Sequence, residues 1–152
     1  MIEITVVGLP APQGSKRLVG KVMLESSRKV QPWRQDVKSA VLEQYDGPPI
    51  ERAVFIEIEF RFQRPKGHFN TKGELRPKAP EHLISRGQGD LDKLLRSTFD
   101  ALSISTGGSL LADDSLVVRV IGSKRYCVGP ELPGALIFVS QLENQLAHTG
   151  KE

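Results

Sequence analysis

Val54-Phe55-Ile56-Glu57-Ile58-Glu59-Phe60-Arg61-Phe62 decides the architecture, because its side chains alternate at a period of two. Val54, Ile56, Ile58, Phe60 and Phe62 fall on one side of an extended chain, and Phe55, Glu57, Glu59 and Arg61 on the other. This is a strand with one face in a core and one toward water. The chain offers three partners for it. Ile2, Ile4 and Val6 alternate with Glu3, Thr5 and Val7 until Gly8. Leu116 to Ile121 read as a strand that continues irregularly to Val128, where Gly129-Pro130 breaks it, and Ala135 to Val139 read as the last strand.

Elsewhere the period changes to that of a helix. From about Gln31 to Tyr45, with Pro32 in the first turn, Trp33, Val37, Ala40, Val41 and Gln44 share a face, and Gly47-Pro48-Pro49 ends the run. From Leu91 to Leu102, Leu91, Leu94, Leu95, Phe99 and Leu102 do the same, with Asp90 placed to cap the first turn. Pro10 to Arg17 holds too much proline and glycine for a regular element. Gln63 to Gly89 has no period and carries Arg64, Lys66, Lys72, Arg76, Lys78 and Arg86, which predicts a long basic loop. A polar tail, Gln141 to Glu152, is expected to begin as a short helix and fray. The order predicts one α+β (mixed α/β) domain over residues 1–152, a mixed sheet of about four strands with two main helices packed on it.

Composition agrees with one domain: 152 residues, 39% hydrophobic and 26% charged. The single cysteine, Cys127, rules out an internal disulfide, and no apolar run approaches the roughly 20 residues of a membrane span. These features lead us to expect a soluble cytoplasmic protein that meets no membrane. The net charge of +3 hides an uneven layout: residues 14–38 and 61–96 each carry +5, and the segments between and after them are acidic. Two basic segments suit a polyanionic partner once folding brings them together.

The chemistry concentrates in Gly89-Asp90-Leu91-Asp92-Lys93-Leu94 and Leu111-Ala112-Asp113-Asp114-Ser115. Asp90 and Asp92 flank a core-facing leucine at the head of a helix, and Asp113 and Asp114 lead into the next strand. The spacing predicts that these carboxylates converge, because a strand returning from a helix comes back toward it. Converging carboxylates repel, and a hard divalent cation with oxygen ligands removes that cost. Magnesium, with manganese as its substitute, retains waters, lowers the pKa of one and bridges a phosphate, as phosphodiester hydrolysis requires. The competing interpretation makes Asp90 a helix cap, Asp92 a favourable first-turn charge, and Asp113 or Asp114 turn formers.

The string Gly89-Asp90-Leu91-Asp92-Lys93-Leu94-Leu95-Arg96, then Phe99-Asp100-Ala101-Leu102, then Leu111-Ala112-Asp113-Asp114-Ser115-Leu116-Val117-Val118, resembles the signature of the RusA family of Holliday junction resolvases. Leu9-Pro10-Ala11-Pro12-Gln13-Gly14-Ser15-Lys16-Arg17 is similar to that family's proline-rich N-terminal segment, and the order of elements agrees up to about Val139. The resemblance implies a homodimer that binds four-way branched DNA by shape and cuts opposing strands with magnesium, in recombination and repair. It implies catalytic, metal-binding roles for Asp90, Asp92 and Asp114, with Asp113 a companion acid. Arg96 stands where the family's best-known member has an essential lysine, and Lys93 where it has an asparagine. Both are candidates to stabilise charge on the phosphate, although a planar guanidinium differs from an ammonium. Lys16, Arg17, Arg64, Lys66, Lys72, Arg76, Lys78 and Arg86 would hold the DNA backbone, with recognition by geometry and a steep salt dependence.

Other residues read as structural. Asp100 is expected to pair with Arg96 one turn away, and Glu57 and Glu59 to form a solvated strand face. His68 and His82 are expected to face solvent or phosphate, Cys127 to pack as a small apolar residue, and Trp33 and Tyr45 to pack under the first helix. Two rival functions remain: a DNA-binding module whose acids are structural, and an Asp-x-Asp enzyme acting on nucleotide sugars or phosphate esters. The latter lacks a glycine-rich phosphate cradle.

Overall fold

A computed structural model describes residues 1–14, 16–19, 22–25 and 28–144, the segments 16–19 and 22–25 by their backbone alone. The strands are β1 (Ile2–Val7), β2 (Lys16–Val19), β3 (Val22–Glu25), β4 (Val54–Phe62), β5 (Val117–Tyr126) and β6 (Gly134–Gln141). The helices are α1 (Val30–Gln44) and α2 (Leu91–Leu102). The main sheet has the order β1-β6-β4-β5; β4 and β5 are parallel and the other neighbours antiparallel. This is the expected α+β fold, a four-stranded mixed sheet with two helices. The antiparallel hairpin of β2 and β3 forms a second, two-stranded sheet, where the sequence reading had only a loop up to Arg17. No helix among the described residues is long and apolar enough to cross a membrane.

The alternation of β4 sets which side is buried. Val54, Ile56, Ile58 and Phe60 are fully enclosed with Ile4, Val6, Ile137 and Val139 of the flanking strands, and α1 and α2 supply Trp33, Val37, Leu94 and Leu102 against them. Each such side chain contributes roughly 1.5–3 kcal/mol of hydrophobic stabilisation. Trp33 is anchored twice, by its ring 6.4 Å from that of Phe60 and by its indole N–H on Thr98 Oγ1 at 3.1 Å. The opposite sheet face is open: Glu57 is exposed, and the Arg119 guanidinium lies 4.7 Å above the Phe55 ring.

Several local expectations change. β5 runs unbroken through Tyr126, with one register shift against β4 that leaves Val118 unpaired between Val117 and Arg119, and β6 extends to Gln141, so the tail begins by completing a strand rather than a helix; residues 145–152 lie outside the described part. Gln44 is not packed in the core. Its amide accepts from Thr5 N–H at 2.8 Å and donates to Thr5 C=O at 2.7 Å, which occupies the outer edge of β1. Glu59 is not simply solvated, because Arg61 and Arg125 bind its carboxylate at 2.8 and 3.2 Å. Those guanidinium partners lower its pKa against the opposing effect of desolvation.

The long basic segment is an ordered loop. Asn70 Oδ1 accepts from the N–H groups of Lys72 and Glu74, each at 2.9 Å, and buried Leu83 pins the segment to the core. Short 3-10 turns occupy Lys66–His68 and Arg86–Gln88. His68 is half-buried and stands edge-on to Tyr126 with 5.4 Å between rings. His82 is exposed, with Nε2 3.4 Å from Glu81. Cys127 is buried, and burial raises its thiol pKa.

Candidate active site

The head of α2 is built by three segments meeting. Gly89 adopts φ +94°, a region that favours glycine, and a Cβ there would lie 2.4 Å from Pro12 Cγ. Further along, Gln13 N–H donates to Lys93 C=O at 2.9 Å and buried Ser97 donates to Ala11 C=O at 2.6 Å. The Pro10–Gly14 segment therefore braces the first two turns of α2. On the other side Leu95 packs against Gly122 of β5, where a Cβ would stand 3.0 Å from its methyl carbon. Lys124, two residues on along the same strand face, donates from Nζ to Gly89 C=O at 3.0 Å.

Asp90 occupies the N-cap position with extended backbone, yet its carboxylate makes no cap hydrogen bond. Its position is thus that of a cap without a cap's bond. Asp90 and Asp92 are both exposed and flank half-buried Leu91. Neither carboxylate forms an ion pair among the described residues. Carboxylates are hard oxygen donors, which suit magnesium or manganese. Lys93 and Arg96 are also exposed on this helix. Asp100 does not pair with Arg96: it receives Arg34 Nη2 of α1 at 3.0 Å, in a contact that also includes Gln13. Arg96 is thereby left without an ion-pair partner among the described residues.

Asp113 and Asp114 lie elsewhere. Asp113 accepts from Ser115 N–H at 3.0 Å and from Ser105 Oγ at 2.9 Å, and the hydrogen bonding from Ser115 foremost, then from Ser105, lowers its pKa. Asp114 follows at the start of a 3-10 turn into β5 and is exposed. α2, twelve residues and about 18 Å long, lies between its acidic head and the Ser105 that holds Asp113. The expected convergence within one chain is therefore not formed, and among the described residues no three His, Cys, Asp or Glu side chains gather as a metal-binding group. The reason is topological. β4 and β5 are parallel, so the helix that crosses between them runs opposite to both, and β5 begins beside the tail of α2 rather than its head.

The basic residues divide. Arg64 is tied into the loop, with Nη1 on Pro80 C=O at 2.8 Å and its guanidinium 4.5 Å from the Tyr126 ring centre. Arg76 Nε holds Phe69 C=O at 3.1 Å. Lys66, Lys72, Lys78 and Arg86 are exposed. Lys16 and Arg17 stand in β2, where their backbone pairs with Glu25 and Leu24.

The motif geometry now has a counterpart in a comparison of families: the family model for endodeoxyribonuclease RusA matches residues 7–134. The chain belongs to the RusA family. The match spans the proline-rich brace, the head of α2 and the Asp113-Asp114 turn, and ends at the first residue of β6. RusA proteins are endodeoxyribonucleases that resolve Holliday junctions, so this chain is a hydrolase acting on DNA. Curated proteins give no match.

Sequence reading missed Lys124 and Arg34 as neighbours of this site. The signal for Lys124 is its position on the helix-facing side of β5, in line with Val120 and Gly122. Arg34 had no local signal, because its partner is 66 residues away.

Proposed function

We propose that this RusA-family chain is a divalent-metal-dependent resolvase that cuts four-way junctions by paired phosphodiester hydrolysis in recombination and repair, and works as a cytoplasmic homodimer of single-domain subunits. The observation that carries the reading is the acid pair at the head of α2, with Asp90 and Asp92 in no ion pair among the described residues and Lys93 and Arg96 on the same helix. Asp90 and Asp92 would hold magnesium, or manganese in its place. The ion, when bound, supplies an activated water and neutralises phosphate charge. Arg96 and Lys93 orient the phosphate and offset the charge that grows on it. Lys66, Lys72, Lys78 and Arg86 of the ordered loop, with Lys16 and Arg17, hold the backbone of the arms, and Arg64 and Arg76 keep the loop in shape for them.

Asp114, with Asp113 beside it, enters this scheme through the dimer. β5 is an edge strand of the sheet, and it exposes Val118 at 62%, Val120 at 41% and Ile121 at 44%. An exposed apolar edge favours pairing with another chain. Antiparallel pairing of two β5 edges about a two-fold axis would set the head of one α2 beside the Asp113-Asp114 turn of the second copy. Each site then gains its third acid from the partner.

The test is cleavage of a synthetic four-way junction and of plain duplex with the same arms, each with and without magnesium. The reading expects cutting of the junction only, and only with metal. Asp90→Asn should abolish cutting while binding is kept. Full activity of that variant, or metal-free cutting, would overturn the reading.

A further inference from the structure

We infer that Lys124 is a positioning residue for the acid pair, a role that rests on the nuclease reading above. β5 is parallel to β4 with Ile56 opposite Val120, Ile58 opposite Gly122 and Phe60 opposite Lys124. Lys124 therefore shares the side of the sheet on which α2 packs. Gly122 removes the side chain that would keep Leu95 away, so the helix lies close to the strand at this level. From there the Lys124 stem runs half-buried to the head of α2, and its ammonium ends on the carbonyl oxygen of Gly89 at 3.0 Å.

That carbonyl belongs to the peptide that links Gly89 to Asp90. Gly89 is held on three sides: Pro12 covers its Cα, its N–H donates to Arg86 C=O at 3.1 Å, and Lys124 takes its oxygen. Fixing this peptide plane fixes the direction in which the Asp90 side chain leaves the backbone. No cap bond does so in its place. The pair Asp90 and Asp92 is thus aimed by a cation that contacts neither carboxylate. The same ammonium puts a positive charge one residue from Asp90, which lessens the repulsion between two neighbouring carboxylates before a metal arrives. Positioning groups behind ligands of this kind typically change metal affinity or activity by about 10–100-fold when removed.

Lys124→Met keeps the stem and removes charge and donor; Lys124→Arg restores both with a different head. Three measurements on the full-length protein decide the matter: amide hydrogen exchange over residues 86–95, Mn2+ binding without DNA, and single-turnover junction cutting beside junction affinity. For Lys124→Met we expect faster exchange at Gly89 to Asp92, Mn2+ binding weaker by about tenfold, and cutting slower by about tenfold or more with junction affinity within about twofold. Lys124→Arg should recover most of each. Unchanged exchange in Lys124→Met overturns the inference. So does a loss confined to junction affinity, which would make Lys124 a phosphate contact. If the wild type neither binds Mn2+ nor cuts, the nuclease reading fails, and the exchange arm still decides whether Lys124 holds the Gly89 peptide.

Discussion

Ser97 Oγ donates to the carbonyl oxygen of Ala11 at 2.6 Å inside the core, so α2 holds the proline-rich segment through a bond that spans 86 residues. Both groups are sealed from water. Ser97→Ala leaves the Ala11 carbonyl without this donor and should cost about 1–3 kcal/mol, measured as a lower urea midpoint. The urea slope should stay the same, since the folded state keeps its extent. A change below about 0.3 kcal/mol would show the bond to be dispensable.

Arg34 and Asp100 make the second tie, from α1 to α2 at 3.0 Å, both largely sheltered. Arg34→Met should lower stability by about 1.5–3 kcal/mol, the range of a hydrogen bond to a charged group. Asp100→Asn should cost less, because its amide oxygen still accepts from the guanidinium. Chemical denaturation of the two single variants and the double variant measures the coupling.

The strand 54–62 and the helix 91–102 were legible because burial on one side imposes a period, and the structure keeps both boundaries to the residue. The hairpin of β2 and β3 was not, since strands of four residues are too short to display an alternation. Order in the 63–89 loop comes from Asn70 bonding to backbone and from Leu83, which leave no periodic trace. Asp90 and Asp92 were legible as candidates from their spacing. Their distance from Asp114 was not, because it depends on the direction of a crossover helix between parallel strands, a property of the whole sheet. Asp100 was assigned to the wrong arginine for a like reason: adjacency on a helix competes with partners from another helix, and here the partner from α1 wins.

Acid should weaken the corner where β5 leaves the sheet. Glu131 binds Arg125 through two bonds of 2.8 Å and accepts from Val128 N–H at 2.7 Å, and the guanidinium foremost holds its pKa down at about 2, from an ordinary 4.5. A carboxylate with a depressed folded pKa gives stability that is complete above the unfolded value and is lost as pH falls from there through the folded one. Between pH 4.5 and about 2 the wild type should therefore lose stability that Glu131→Gln never had. Thermal midpoints of both proteins at pH 7, 4 and 2.5 test this, and the gap between them should close on the acid side. A gap independent of pH would place the contribution of Glu131 outside its charge.

Sharing of acids between subunits makes a prediction that no single-chain site can satisfy. Asp90→Asn and Asp114→Asn should each abolish cutting alone, since either change spoils both sites of a homodimer. In a mixed dimer with one subunit of each kind, one site receives both changes and the other receives neither. Mixing the two inactive proteins, with time for subunits to exchange, should restore nicking of one junction strand without paired cleavage. If each subunit carried its own complete set, every site in the mixture would hold one altered acid and no activity would return. Replacing exposed Val118 and Val120 by lysine places like charges along the β5 edge and should shift the protein to monomer by sedimentation, with metal-dependent cutting lost while α2 keeps its fold. Monomers that still cut at the wild-type rate would refute the shared site.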